Sequence, residues 1–402
     1  MPRWLSIVGI GEDGVTGLSA TARGLIAVAE IVFGGERHID LAASLIRKEK
    51  RPWPSPFDGA VDEVLQHRGR QVCVLASGDP FHYGVGAVLA RRIDAREMNV
   101  LPAPSAFSLA AARLGWSLQQ TMLLSVHGRD LDLVRPHLQP GARILALTSG
   151  SDGPAALALL LASSGFGASR LTVFEALGGP RERARAATAA AFDLPTVDPL
   201  NTVAIEVAAA PDARVLARAP GLPDALFEHD GQITKREIRA ITIASLAPRR
   251  GELLWDIGAG AGSVAIEWML ADPTMRAVAV EKRLERIGRI RRNAAAFGVP
   301  GLEVVVDAAP AAFAELAPPD AIFIGGGVSD PGMLDAATEA VRRGGRLVVN
   351  AVTLDSEAVL LSRHAALGGE LMRIAITRSG AIGEKAGWRP ALPVTQWVWT
   401  RP

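Results

Sequence analysis

Gly258, Gly260 and Gly262, followed nineteen residues later by Glu281, are the residues of this sequence best placed to do ligand chemistry. The apolar run Leu253-Leu254-Trp255-Asp256-Ile257 leads into Gly258-Ala259-Gly260-Ala261-Gly262 and then into Ser263-Val264-Ala265-Ile266-Glu267. That pattern is a strand entering a tight turn that opens a helix. Glycines belong where a nucleoside must approach the backbone more closely than a Cβ permits. Glu281 closes the next strand, where a carboxylate can accept hydrogen bonds from both ribose hydroxyls.

A dinucleotide fingerprint needs glycine at positions 1, 3 and 6 of such a turn, and the sixth position here is Ser263. A nicotinamide-dependent reductase using the Gly258 turn is therefore the weaker enzymatic reading. S-adenosylmethionine (SAM), which has no pyrophosphate to seat on the helix, suits the 1, 3, 5 spacing better. Two further segments agree with a nucleoside site. Asp307-Ala308-Ala309-Pro310 follows the third strand of this half and is placed to meet an adenine, and Gly325-Gly326-Gly327 follows the fourth.

The first half carries a different set. Gly9-Ile10-Gly11 ends a strand without an acidic strand end about twenty residues on. Ala76-Ser77-Gly78-Asp79-Pro80-Phe81-His82-Tyr83-Gly84 is a second turn after a strand, with the Asp-Pro pair fixing it. Ser105 reads as the cap of a helix from Ala106 to Leu114. His82 and Tyr83 are the candidates for proton transfer. His127 and Arg129 are candidates for substrate carboxylates, since a guanidinium suits bidentate recognition. Lys235 and Arg239 lie four apart on an expected helix face and could serve the same end, with a solvated face as the plainer alternative. Trp255 and Trp268 read as core. No paired histidines at metal spacing occur, so no metal is expected. Cys73, the only cysteine, lies in an apolar strand and excludes both a disulfide and a cysteine-based zinc site.

The elements that must position these groups alternate along the chain: a short β-branched run, a glycine turn, an Ala/Leu/Arg helix. Strands are predicted at Leu5–Ile10, Gln71–Ala76, Arg143–Thr148, Leu171–Phe174 and Thr202–Val207. A second series is predicted at Glu252–Asp256, Arg276–Glu281, Glu303–Val306, Ala321–Ile324, Arg346–Ala351, Leu371–Thr377 and Val394–Thr400. The alternation predicts an α/β fold with parallel sheets covered on both faces. The run starting at Arg181 reads as an exposed helix. Proline-containing turns between Ala208 and Asp230 mark a seam, giving expected domains at 1–210 and 225–402. Thr234, with Glu237 three residues on, predicts a capping box.

Composition narrows the partners. Forty-three Lys plus Arg against forty-two Asp plus Glu leave a formal charge of +1, which argues against a nucleic-acid binder. No targeting segment and no bilayer-length apolar run is read, so no membrane partner is expected and a cytoplasmic location is the default.

Gly9-Ile10-Gly11, Gly78-Asp79-Pro80, Pro104-Ser105, Ser125-Val126-His127-Gly128-Arg129, Glu175-Ala176-Leu177-Gly178 and Asn201-Thr202-Val203 together resemble the tetrapyrrole methylases, the class III SAM methyltransferases. The second half, from Gly231-Gln232-Ile233-Thr234-Lys235-Arg236-Glu237, resembles the precorrin C15-methylating and decarboxylating enzymes, which are class I SAM methyltransferases. One departure is Glu12, where many tetrapyrrole methylases have proline.

The resemblance implies a two-lobed αβα tetrapyrrole methylase followed by a Rossmann-like seven-stranded class I SAM methyltransferase. It implies two SAM sites per chain, with Gly9, Gly11, Gly78, Asp79, Phe81, Ser105 and Ala106 at the first. Thr234, Gly258, Gly260, Gly262, Glu281, Asp307 and Ala309 belong to the second; Arg129, Lys235 and Arg239 remain the candidates for substrate carboxylates, with a solvated surface as the alternative for each. It further implies a small-molecule corrinoid substrate methylated at C5 and C15, loss of the ring C acetate carboxyl, a place in cobalamin biosynthesis, and a homo-oligomer. The remaining alternative is a one-site methyltransferase whose other half is a docking or oligomerisation module.

Overall fold

The computed structural model describes residues 3–54, 57 and 59–402, which form two compact units. One comprises the chain up to Leu131 together with His137–Arg214; the other comprises Asp132–Pro136 and Val215–Pro402.

Among the described residues the first unit holds two five-stranded sheets. The first is built from β1 (Leu5–Ile10), β2 (Ile31–Gly34), β3 (Glu49–Pro52), β4 (Val72–Ser77) and β5 (Met98–Leu101), in the order β3-β2-β4-β1-β5 with every pair parallel. Burial on both faces makes β1, β2 and β4 nearly continuous apolar runs. The second sheet is built from β6 (Thr121–Ser125), β7 (Arg143–Leu147), β8 (Arg170–Glu175), β9 (Arg183–Thr188) and β10 (Asn201–Glu206), in the order β6-β7-β10-β8-β9.

Two expectations fail in that second sheet. Only β6 and β7 are parallel; the other pairs are antiparallel. Residues 176–182 alone join β8 to β9, too few for the dozen or so that a parallel crossover needs. The Arg181 run, predicted as a helix, supplies strand β9. Its Arg-Ala alternation puts Arg183 and Arg185 on one face, where both guanidinium groups bind the buried Glu175 carboxylate. Those hydrogen bonds outweigh the cost of burial and bring the Glu175 carboxyl down to about 2.

The second unit carries a seven-stranded sheet built from β11 (Leu253–Ile257), β12 (Arg276–Val280), β13 (Glu303–Val305), β14 (Ala321–Ile324), β15 (Arg346–Ala351) and β16 (Glu370–Ile374). A hairpin, β17 (Thr377–Ile382) with β18 (Lys385–Pro390), precedes the last strand of the sheet, β19 (Val394–Thr400). Strand order is β13-β12-β11-β14-β15-β19-β16, and the two pairings of β19 are antiparallel. Trp255 and Trp268 are fully buried core residues, as their sequence context predicts. The hairpin was not predicted; its strands are polar and largely exposed.

Candidate active site

The carboxyl ends of β11, β12, β13, β14 and β15 open onto one cavity of about 600 Å³. That is the edge where open α/β sheets hold ligands, and the volume lies within the ~300–1,000 Å³ usual for small-molecule sites. Gly258 and Gly260 line it from the turn after β11, Glu281 from the end of β12, Asp307 and Ala309 from the loop after β13, and Gly325–Gly327 from β14. Thr234 and Lys235 line it from the segment before the helix Arg236–Leu246.

The turn has the geometry of a cradle. Gly258 and Gly260 have φ of +70° and +60°, left-handed values that disfavour any side chain. A Cβ on Gly258 would meet no protein atom closer than 3.6 Å. A methyl group there would rest against the Gly326 backbone without a clash, and both glycines line the cavity. Gly262 plays another part. It caps the helix Ser263–Leu270, does not line the cavity, and a Cβ there would stand 2.9 Å from Ile290.

Glu281 is buried, with Oε2 accepting from the Gly260 amide at 2.9 Å and Oε1 from the Arg283 amide at 3.0 Å. A carboxylate has about four acceptor positions, so capacity remains for two hydroxyls. Arg286 stands 3.6 Å from Glu281 and 2.9 Å from Asp230, tying the strand end to the segment ahead of Gly231. Asp256, fully buried beside this site, accepts from the Ala265 amide at 3.0 Å. Burial, and after it the Glu281 charge, pushes the Asp256 carboxyl up to about 7.

Three expectations about the helix Arg236–Leu246 are overturned. Thr234 does not cap it: Lys235 holds the cap position without a side-chain bond, and Glu237 pairs with Arg378. Lys235 therefore lies outside the helix rather than on a shared face with Arg239. Arg239 is completely buried and cannot meet substrate. Its guanidinium binds Glu267 at 2.6 Å and Asp224 at 3.1 Å, with the Thr234 and Leu222 carbonyls accepting from it as well. Glu267 also accepts from the Gly221 and Leu222 amides. The arginine is spent in holding the inter-strand segment onto the core.

In the first unit the predicted residues fall into two groups. Gly9, Gly78 and Ser105 lock together at the carboxyl edge of β1, β4 and β5. A Cβ on Gly9 would lie 1.9 Å from the Gly78 oxygen, and one on Gly78 would lie 2.9 Å from the Ser105 Cα. Ser105 caps the helix Ala106–Leu114 as predicted, accepting from the Ser108 amide. Asp79 accepts from the Phe81 amide at 2.8 Å, which fixes the turn. Gly11 follows Ile10, whose carbonyl accepts from the Gly78 amide at 3.1 Å.

The second group is aromatic. His82 stacks on Tyr83 and lies 4.7 Å from Phe107, while the Arg129 guanidinium sits 5.5 Å from the Tyr83 ring centroid. Tyr83 has φ of +56° and donates its hydroxyl to the Leu123 carbonyl. His127 Nδ1 is 3.1 Å from the Thr148 carbonyl. A hollow lined by Glu12, Asp13, Gly14, Asp40 and Gly178 lies in the same unit, and none of the predicted residues lines it.

Sequence reasoning missed a polar cluster at the same strand edge. Glu12, which replaces the proline of the resembling family, pairs with Arg37 and stands 3.7 Å from Arg181. Arg37 donates to Ser77, and His38 Nε2 lies 2.8 Å from the same hydroxyl. Burial lowers the His38 imidazole to about 4, so it is neutral at pH 7. The Gly34-Gly35 that ends β2 is the sequence signal that could have pointed there.

A glycine turn, an acidic strand end and a cavity at the edge of a seven-stranded sheet define a Rossmann-like methyltransferase in the second unit. The comparisons agree for both halves. Residues 225–401 match the family described as "Precorrin methyltransferase domain", and residues 5–193 match "Tetrapyrrole (Corrin/Porphyrin) Methylases". A precorrin-6Y C(5,15)-methyltransferase (decarboxylating) of a Sinorhizobium species is 63% identical over 398 residues, spanning 99% of this chain and 96% of its own. The Mycobacterium tuberculosis protein of the same description is 43% identical over 400 residues, spanning 98% and 99%. A crystal structure of the C-terminal domain of the Rhodobacter capsulatus precorrin-6Y C5,15-methyltransferase shares 47% identity, covers 46% of this chain and all of its own, and has a TM-score of 0.44. The chain belongs to the family of the decarboxylating precorrin-6Y C(5,15)-methyltransferases.

Proposed function

We propose that the chain is a bifunctional SAM-dependent methyltransferase of cobalamin biosynthesis. It methylates precorrin-6B at C5 and C15 and removes the carboxyl of the ring C acetate to give precorrin-8. The first domain performs the C5 transfer; the second performs the C15 transfer and the decarboxylation. One SAM binds in each, giving two sites per chain. The observation that carries this reading is the cavity in which Gly258, Gly260 and Glu281 converge.

SAM, when bound, supplies an electrophilic methyl group on a sulfonium that departs as a neutral thioether. The protein's part is to bind and orient. Glu281 would accept from the ribose hydroxyls, Gly258 and Gly260 would let the nucleoside reach the backbone, and the Asp307–Ala309 loop would flank the base. Positioning an electron-rich ring carbon against a methyl donor can contribute roughly 7–11 kcal/mol, so no nucleophilic side chain is required. In decarboxylation the C–C bond to the carboxylate breaks, CO₂ leaves, and its electron pair passes into the conjugated ring, which takes up a proton. The cavity supplies shape, exclusion of water and cations for the acidic arms.

The test is incubation of the full chain with precorrin-6B and SAM carrying an isotopically labelled methyl, with the label located by NMR. Label at both C5 and C15 in the intact chain, and at C5 alone in Glu281→Ala, is the expected result. Calorimetry showing a single SAM site per chain would remove the two-site reading.

A further inference from the structure

We propose that Arg378 receives a carboxylate of the substrate in the C-terminal cavity, and that Glu237 holds its place until substrate arrives. The proposal rests on the reading of this cavity as the C15 site.

Both residues line the cavity, Glu237 from the first turn of the helix Arg236–Leu246 and Arg378 from β17, and their side chains are ion-paired. The two side chains are 39% and 49% exposed. A pair this open to water contributes little to stability and is cheaply exchanged. The contrast is with Arg239–Glu267 in the same unit, buried and bonded on every side, and with Arg286, already committed to Asp230 and Glu281.

The surroundings of Arg378 favour a flat ring with acidic arms. Ile376, Leu392 and Val394 line the same cavity and come from the chain on either side of the hairpin. They offer an apolar wall with a guanidinium fork beside it. Lys235, also lining the cavity and exposed, adds a second cation. Between Thr377 and Pro390 the hairpin carries Arg378, Lys385 and Arg389 against Glu384 alone, so its charge favours an acidic guest. Arginine suits carboxylates, and the Arg378 guanidinium already donates to one through Nη2, that of Glu237.

The test uses the full chain, precorrin-6B and labelled SAM, and follows C5 and C15 methylation separately. Arg378→Gln is expected to raise KM for the C15 step by about tenfold or more, the scale of one lost charge-assisted contact. SAM affinity and the C5 step should stay as they are, which also shows that the variant is folded. Arg378→Lys should recover part of the loss, and Glu237→Gln, which removes the competing carboxylate, should lower the same KM. If Glu237→Gln raises KM as much as Arg378→Gln does, the pair only fastens the hairpin and the proposal falls. An unchanged KM in Arg378→Gln, with C15 methylation still lost in Glu281→Ala, overturns the carboxylate role and leaves the cavity assignment standing. If C15 methylation survives Glu281→Ala, the cavity assignment itself fails.

Discussion

Glu281 accepts a hydrogen bond from the Gly260 amide, so the carboxylate at the end of β12 is fixed to the glycine turn at the end of the neighbouring β11. The two parts of the nucleoside cradle are thus one rigid unit before any ligand binds. Glu281→Ala removes the proposed ribose acceptor and loosens the turn at once. Hydrogen bonds to a charged group are worth roughly 1.5–3 kcal/mol each. SAM affinity at the proposed C-terminal site should fall about 10- to 100-fold or more, measured calorimetrically, with the proposed N-terminal site unaffected. Unchanged affinity at both sites would take Glu281 out of that role.

Gly9 and Gly258 are glycines for different reasons, and alanine separates them. Gly9→Ala drives a methyl group into the Gly78 carbonyl, so the N-terminal unit should lose stability and C5 methylation together. Gly258→Ala has room, paying only the ~1–2 kcal/mol of a left-handed side chain. It should lower the melting temperature by only a few degrees, less than Gly9→Ala does, while SAM binding in the C-terminal cavity drops. Calorimetry beside thermal unfolding distinguishes the two; equal unfolding effects would contradict the assignment.

Asp256 gives stability a specific pH dependence. Its carboxyl titrates at 3.8 when free and at about 7 in the fold. Between those values the folded chain keeps a proton that the unfolded chain has released. This group's contribution therefore weakens as pH rises from about 4 to 7, and is constant above that. Asp256→Asn should remove that fall, seen as a difference between the melting temperatures of the two proteins that widens towards pH 7. A constant difference across the range would mean that Asp256 does not titrate there.

Arg239 and Glu267 form a pair whose halves depend on each other. Glu267→Ala leaves a guanidinium buried without its main counter-ion, a change that costs on the order of 3–5 kcal/mol. The unfolding transition of the C-terminal unit should move to lower urea while the N-terminal transition stays in place.

Strands β11, β12, β14 and β15 of the C-terminal sheet were legible because buried parallel strands are short apolar runs. Glycine turns and the Glu281 strand end were legible for a related reason: backbone approach restricts residue type locally. What stayed hidden depends on distant partners. Arg239 is buried only because Glu267, 28 residues on, meets it. Strand β9 is a strand because two arginines find Glu175, and nothing within the Arg-Ala run itself announces that partner. Thr234 and Glu237 have the spacing of a capping box, yet Arg378, from 141 residues away, takes the carboxylate. Arg378 went unnoticed because the hairpin carrying it has little apolar alternation of its own.

The knot at Glu267 also decides where this protein can be cut. Glu267 has three donors, and two of them are the amides of Gly221 and Leu222. A fragment starting at residue 225 would discard both, along with the Leu222 carbonyl and the Asp224 carboxylate that hold Arg239. An excised C-terminal half that is to stand alone must keep Gly221 to Asp224, although these residues lie outside every strand of its sheet.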